Sequence, residues 1–150
     1  RMNQEWSPRL TVATIIERDG RFLLVEEYAD GEELVYNQPA GHLDEHETLA
    51  AAAIRETLEE TAWEVRVDAI VGLYYWTHPK GHTFVRTCFV GTALQHHPEQ
   101  PLDHGIQRAL WLNRDEIVAL GPKLRSPMVL RCIDDYLAGR RYPLDLFGYL

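Results

Sequence analysis

Between Gly41 and Trp63 the chain carries a charge pattern that few folds can accommodate. A Pro39-Ala40-Gly41 turn signal is followed by Glu47 and then, eight residues on, by the run Arg55-Glu56-Thr57-Leu58-Glu59-Glu60. Ala50 to Ala53 give this stretch high helix propensity, and a helix from about Glu47 to Thr61 is expected. At ~100° per residue, Glu60 falls ~40° and Glu59 ~60° from Glu56, so all three carboxylates share one face. Ile54 and Leu58 lie opposite, flanked by Ala50, Ala51 and Thr61, and form the expected core stripe. Carboxylates within roughly 5–6 Å of one another repel, raise each other's pKa values and weaken an isolated helix by tenths of a kcal/mol per pair. A solvated acidic face explains most Glu-rich helices, but the turn and the two spacings point instead to a hard dication. Mg²⁺, with Mn²⁺ as a substitute, takes oxygen ligands and keeps shell positions for water and substrate phosphates. The stretch reads as a magnesium site for pyrophosphate chemistry.

Composition narrows what such a site can serve. At 150 residues the chain makes one domain, 1–150, large enough to bury about two thirds of its surface. Within it, residues 1–7 read as a flexible N-terminus, Arg1 before Met2 as an addition from expression, and 126–150 as a C-terminal helix and tail. A composition of 45% hydrophobic and 25% charged residues is that of a globular protein. The net charge of −8 argues against nucleic-acid and anionic-membrane partners, which need clustered Lys and Arg, so a small-molecule phosphate ester or anhydride would arrive with cations. Cys88 and Cys132 lack metal-ligand spacing and read as buried thiols. No secretory apolar region and no 18-residue apolar span occurs, which places the chain in the cytoplasm, as a monomer or homodimer.

The remaining elements follow from local pattern. Leu10 to Ile16 and Arg21 to Glu27 read as strands around an Asp19-Gly20 turn, a hairpin followed by the acidic segment Asp30 to Glu33. A short strand, Leu34 to Asn37, leads to the Pro39-Gly41 turn. Glu64 to Tyr75 and Thr83 to Leu94 form a second hairpin with its tip at 77–82, and Ile106 to Leu112 is a further strand. Asn113 caps a short helix that ends before Gly121-Pro122, and Pro127 to Leu137 forms the last helix, stopped by Gly139. A mixed sheet with helices on both sides is the natural packing.

The pattern Gly41-x5-Glu47-x7-Arg55-Glu56-x-x-Glu59-Glu60 resembles the Nudix box, G-x5-E-x7-R-E-U-x-E-E-x-G-U, with U aliphatic. Thr57 and Trp63 replace the two U residues and Ala62 the last Gly, none of them a ligand position. Asn37 to Leu43, Tyr75-Trp76, Pro101-Leu102-Asp103, Leu124-Arg125-Ser126-Pro127 and Tyr136-x-x-Gly139-x-Arg141-Tyr142-Pro143-Leu144 extend the resemblance to the NudJ-type phosphatase group over nearly the whole chain. The resemblance implies an α/β/α sandwich and a bacterial hydrolase that releases phosphate from nucleoside di- and triphosphates or thiamin-pathway pyrophosphates. A nucleotide-sugar or dinucleoside-polyphosphate hydrolase, or a non-catalytic ligand-binding module, is the alternative.

By the same resemblance the metal ligands are Glu56, Glu59, Glu60 and the backbone carbonyl of Ala40. Glu59 holds a second ion or positions the attacking water, and Glu47 and Arg55 brace loop against helix. Family members often take a further acidic ligand or base from a later loop, here Asp103, with His104 as a neutral alternative. Trp76, Arg86 and Arg125 join Asp103 and His104 as candidate substrate contacts. Tyr74 reads as core, Trp76 as equally core or ring-stacking, and Lys80, His78 and His82 as a solvated hairpin tip. Ala62 stands where the family's Gly ends the helix in a left-handed turn, a conformation that costs an L-residue roughly 1 kcal/mol.

Overall fold

Strands apolar on both faces need a layer on each side, and the structure, a computed structural model describing residues 5–29, 31 and 33–150, supplies both. In chain order the elements are β1 (Arg9–Arg18), β2 (Arg21–Ala29), β3 (Glu33–Asn37), β4 (Ala40–His42), α1 (Leu49–Thr61), β5 (Trp63–Thr77), β6 (Thr83–His96), β7 (Ile106–Leu112), α2 (Arg114–Leu120) and α3 (Met128–Leu137). Residues 1–4 of the expected flexible terminus, and Asp30 and Glu32 of the acidic segment, lie outside the described residues. The mixed sheet runs β3-β2-β1-β6-β5, with β4 paired to β1 and β7 to β2. Ala13, Ile15, Phe22, Leu24, Val71 and Cys88 face α2 and α3 through Ile117, Cys132 and Ile133. Val12, Ile70 and Phe89 face the other way, onto Ala52 and Ala53 of α1. The result is an α/β/α sandwich in which Cys88 and Cys132 are buried free thiols.

The first hairpin departs from expectation. Asp19 and Gly20 turn the chain with positive φ, but β1 and β2 pair only at Glu17–Phe22 and Arg18–Arg21. Beyond that they splay, because β1 runs parallel to β6 from Arg9 to Ile16 while β2 takes β3 and β7 as partners. The short β4 sits against β1 in the opening, anchored where Thr14 N–H donates to Pro39 O at 3.0 Å. Strand β2 does not alternate, being buried from Phe22 to Glu27. A register shift at Glu26/Glu27 in its pairing with β7 accompanies burial of both consecutive carboxylates, and Glu27 lines a cavity.

Helix α1 begins two residues later than expected. Thr48 is extended and its Oγ1 accepts from Ala51 N–H at 3.1 Å, which leaves Glu47 outside the helix, free to reach back across the loop. The buried stripe is also rotated from the expected one. Ala52, Ala53, Thr57, Glu60 and Thr61 are buried, Ile54 and Leu58 are half-buried and Ala51 is exposed. Small residues let the helix lie close to the sheet. Thr57 occupies an aliphatic position because its hydroxyl donates to Ala53 O at 2.7 Å, as Thr61 does to Thr57 O at 2.6 Å.

The helix ends as the family's Gly would end it, but on alanine. Ala62 is left-handed at φ 60°, ψ 19°, its N–H bonded to Leu58 O and its carbonyl to His97 N–H, and it is buried. Ala62→Gly relieves the Cβ strain without disturbing either bond and should stabilise the fold by about 1 kcal/mol in urea melts. A destabilised variant would show that the strain is absent.

On the other face, Asp135 of α3 accepts from Tyr74 Oη at 2.8 Å and Arg131 Nε at 3.0 Å. Burial pushes this carboxyl up, but the Tyr74 and Arg131 hydrogen bonds and the Arg131 and Arg140 charges outweigh it and hold it below the ordinary value. A depressed folded pKa contributes stability above the unfolded value of about 3.9, lost as pH falls through the folded pKa. Asp135→Asn should therefore lower Tm by roughly 2–4 °C at pH 6, with the gap closing below about pH 4. A gap independent of pH across that range would remove the ionised carboxylate from the account.

Candidate active site

The site is built where the β4 turn meets α1, and Arg55 holds the two together. Its Nε and Nη2 donate to the two oxygens of Glu47 at 2.7 and 3.0 Å, and Nη2 also reaches His42 O at 3.0 Å. Nη1 bonds Glu56 at 2.9 Å and Glu59 at 3.2 Å. One planar guanidinium thus joins loop, turn and helix through a fork that lysine cannot reproduce. These acceptors, Glu47 foremost, hold the Arg55 proton more tightly than in water. Gly41 is required by proximity: a Cβ there would collide with the Glu56 carboxylate.

Acidic ligand atoms converge on the open side of this brace. Carboxylate oxygens of Glu56, Glu59 and Asp103 lie within 4.8 Å of one another. Asp103 is brought in by its own backbone, whose N–H donates to Glu59 O at 3.0 Å. Glu60 points differently, its Oε1 accepting from Ala40 N–H at 2.8 Å. Burial pushes its carboxyl up to about 9, the Ala40 bond opposing and the charges of Glu27, Glu56 and Asp103 adding to the rise. Burial also raises Glu56, with Arg55 opposing. Clustered hard oxygens, half-exposed and only partly neutralised by one arginine, fit an oxygen-seeking dication such as Mg²⁺. The residues able to hold it are Glu56, Glu59 and Asp103, with Glu60 and Ala40 beside them.

Next to the carboxylates opens a cavity of about 350 Å³. It gathers Ala40, Glu56, Glu60, Trp76, Arg86 and Arg125 from the sequence-derived set. Trp76 lies near-parallel to Phe84 at 5.9 Å and presents an aromatic wall. Tyr74 is structural, tied to Asp135, and Tyr75 is exposed. Asp103 joins the carboxylate cluster, whereas its neighbour His104 is exposed and lines no part of the cavity. Arg86 is buried, with Nη1 and Nη2 donated to Gln38 Oε1 at 2.9 Å and Asn37 Oδ1 at 3.0 Å, so it first fixes the strand that enters the turn. Arg125 precedes α3 and is paired with Glu27. Glu27, Asn37, Gln38 and Phe84 were not assigned roles from sequence. The available signal was two adjacent glutamates in an otherwise apolar strand.

Comparison with known proteins agrees with this geometry. A family profile for the NUDIX domain matches residues 7–132. Phosphatase NudJ of Escherichia coli (strain K12) is 39% identical over 143 residues, 95% of this chain and 92% of that protein. A NUDIX hydrolase from Nitrosomonas europaea superposes with a TM-score of 0.94 at 44% identity, over 96% of this chain and 98% of its own. A UDP-X diphosphatase shares the fold at 16% identity, TM-score 0.72, over 93% of this chain and 68% of its own. The box spacing, the braced carboxylate cluster and near full-length similarity to these proteins lead to one assignment: the chain belongs to the Nudix hydrolase family.

Proposed function

We propose that this hydrolase is a Mg²⁺-dependent phosphohydrolase that cleaves a small organic di- or triphosphate and releases inorganic phosphate. Nucleoside di- and triphosphates and thiamin-pathway pyrophosphates are the substrate class. The observation that carries the reading is the convergence of Glu56, Glu59 and Asp103 oxygens within 4.8 Å, with Glu56 also lining an aromatic-walled cavity. Near full-length similarity to Phosphatase NudJ supports release of phosphate. The bacterial cytoplasm is the proposed setting, consistent with the absence, among the described residues, of any helix long and apolar enough to cross a membrane.

A bound Mg²⁺ supplies neutralisation of anhydride oxygens and a more acidic coordinated water. The chain's own residues do the rest. Glu56 is held by Arg55 beneath Gly41 and is fixed as a ligand. Glu59 is the more exposed of the two and has the longer Arg55 contact, so it is free to orient the attacking water and take its proton. Trp76 and Phe84 offer a face for the organic ring, which aligns the anhydride with the carboxylates.

Glu60→Gln keeps the shape that accepts the Ala40 N–H but removes a ligand charge, and should lower kcat roughly 10²-fold or more under saturating Mg²⁺. Activity within threefold of the parent would sink the assignment of this helix as the metal site.

Activity should vanish in EDTA, return with Mg²⁺ or Mn²⁺, and yield free phosphate from a nucleoside triphosphate. Product analysis decides the bond: monophosphate plus pyrophosphate would overturn the phosphatase reading while leaving the hydrolase assignment intact. A phosphate-release screen that includes thiamin pyrophosphate, ADP-sugars and dinucleoside polyphosphates would rank the substrate classes.

A further inference from the structure

A second cavity of about 420 Å³ adjoins the first and shares Trp76, Phe84 and Arg125 with it. Its charge is opposite. Among the described residues, Arg9, Lys80 and Arg125, with His78 and His82, face a single lining carboxylate, Glu33, in a chain whose net charge is −8. Arg125 is engaged by Glu27, but neither Arg9 nor Lys80 has a carboxylate within ion-pair distance among the described residues. Arg9 instead lies over the Phe84 ring at 5.7 Å, which fixes its guanidinium at the junction of the cavities. Burial, with the Arg9 and Arg125 charges, lowers the pKa of His42, which lines the first cavity.

The β5–β6 tip that carries the other cations is exposed at Lys80 and His82, and its backbone is ordered by hydrogen bonds. His78 N–H donates to His82 O at 2.7 Å, Gly81 N–H to His78 O at 2.8 Å, and the hydroxyls of Thr77 and Thr83 meet at 2.9 Å. Lys80 N–H donates to His78 Nδ1 at 2.9 Å, so the neutral ring carries its proton on Nε2 and presents a donor. Cations gathered with few acids repel one another until an anion arrives, and each donor adds a charge-assisted bond when it does.

We propose that this second cavity is a phosphoryl-binding subsite, which holds a phosphate group of the substrate beyond the anhydride being cleaved. The idea rests on the phosphohydrolase reading for its consequence but not for its test. The group is a phosphate ester at another position of a nucleotide, because release of inorganic phosphate from a linear chain leaves no phosphoryl group beyond the anhydride that breaks. The aromatic wall common to the two cavities lies between this ester and the carboxylates.

The test is calorimetric titration of inorganic pyrophosphate into the full chain in EDTA, where the metal-free carboxylates repel anions and the basic cavity is left to bind. Arg9 and Lys80 are exposed and outside the catalytic cluster, so Arg9→Gln/Lys80→Gln should fold normally, which a thermal melt checks. Affinity should fall about tenfold in this double variant and stay unchanged or rise in Glu60→Gln. Absence of binding to the parent protein, or a double variant within twofold of it, would overturn the subsite even if the enzyme is fully active. In turnover with Mg²⁺, the double variant should raise KM for a nucleoside 3′-phosphate 5′-diphosphate about tenfold, with kcat within twofold and less than a threefold change for the nucleoside 5′-diphosphate. Equal rises in KM for all substrates would reduce the cavity to general attraction and refute a discrete subsite.

Discussion

The Arg55 guanidinium is the interaction on which the rest of the site depends. It satisfies Glu47, Glu56, Glu59 and the His42 carbonyl at once, and among the described residues no other cation is paired with the box carboxylates. Without it, Glu56, Glu59 and Asp103 would meet with only mutual repulsion between them, and the loop from Gly41 to Glu47 would lose its tie to the helix. The arrangement also accounts for the late start of α1, because Glu47 can form the fork only from outside the helix. Gly41 has the same origin, since Arg55 draws the Glu56 carboxylate into the space a side chain would fill.

That brace needs a place to sit, and the splayed first hairpin provides it. A regular β1–β2 pair would close the sheet; instead β1 leaves for β6, β2 leaves for β3 and β7, and β4 enters the opening beside α1. The cost is two strands whose partners are distant in sequence. The gain is that Glu27 from β2, Ala40 from β4, Glu60 from α1 and Arg86 from β6 all reach one cavity. The central runs of β1, β2 and β6 remain stable because both faces are covered, which is why they are largely apolar rather than alternating, whereas the edge strand β5 alternates.

Much of this was legible in the sequence wherever the determinant is local. Ile106–Leu112 appears with the expected bounds, Asn113 forms a full capping box with Glu116, and Ala62 keeps the left-handed turn that the family's pattern demands of a glycine. The box spacing located the carboxylates because helical geometry is fixed by residue count. What escaped depends on contacts remote in sequence. The α1 stripe was assigned to the largest apolar residues, but close packing against the sheet favours Ala52, Ala53 and Thr57, whose hydroxyl is satisfied inside the helix. The adjacent glutamates of β2 mark Glu27 only as unusual, since the fold alone places it beside Arg125, and the bonds of Arg86 to Asn37 and Gln38 likewise join positions far apart in sequence.

The charge distribution gives the cavity a direction. Acids gather at the α1 end and cations at the β5–β6 tip, and the Glu27–Arg125 pair stands on the boundary between them. Burial raises the Glu27 carboxyl while Arg125 and Arg86 oppose the rise, so the pair is electrically close to neutral where the two cavities meet. A polyanion approaching a chain of net charge −8 is repelled by most of its surface and drawn first to the tip. A dication would remove the repulsion at the acidic end. On the function proposed above, the wall of Trp76 and Phe84 between the two ends would set the separation of ring and phosphates, so that specificity would follow from the spacing of opposite charges more than from any single hydrogen bond.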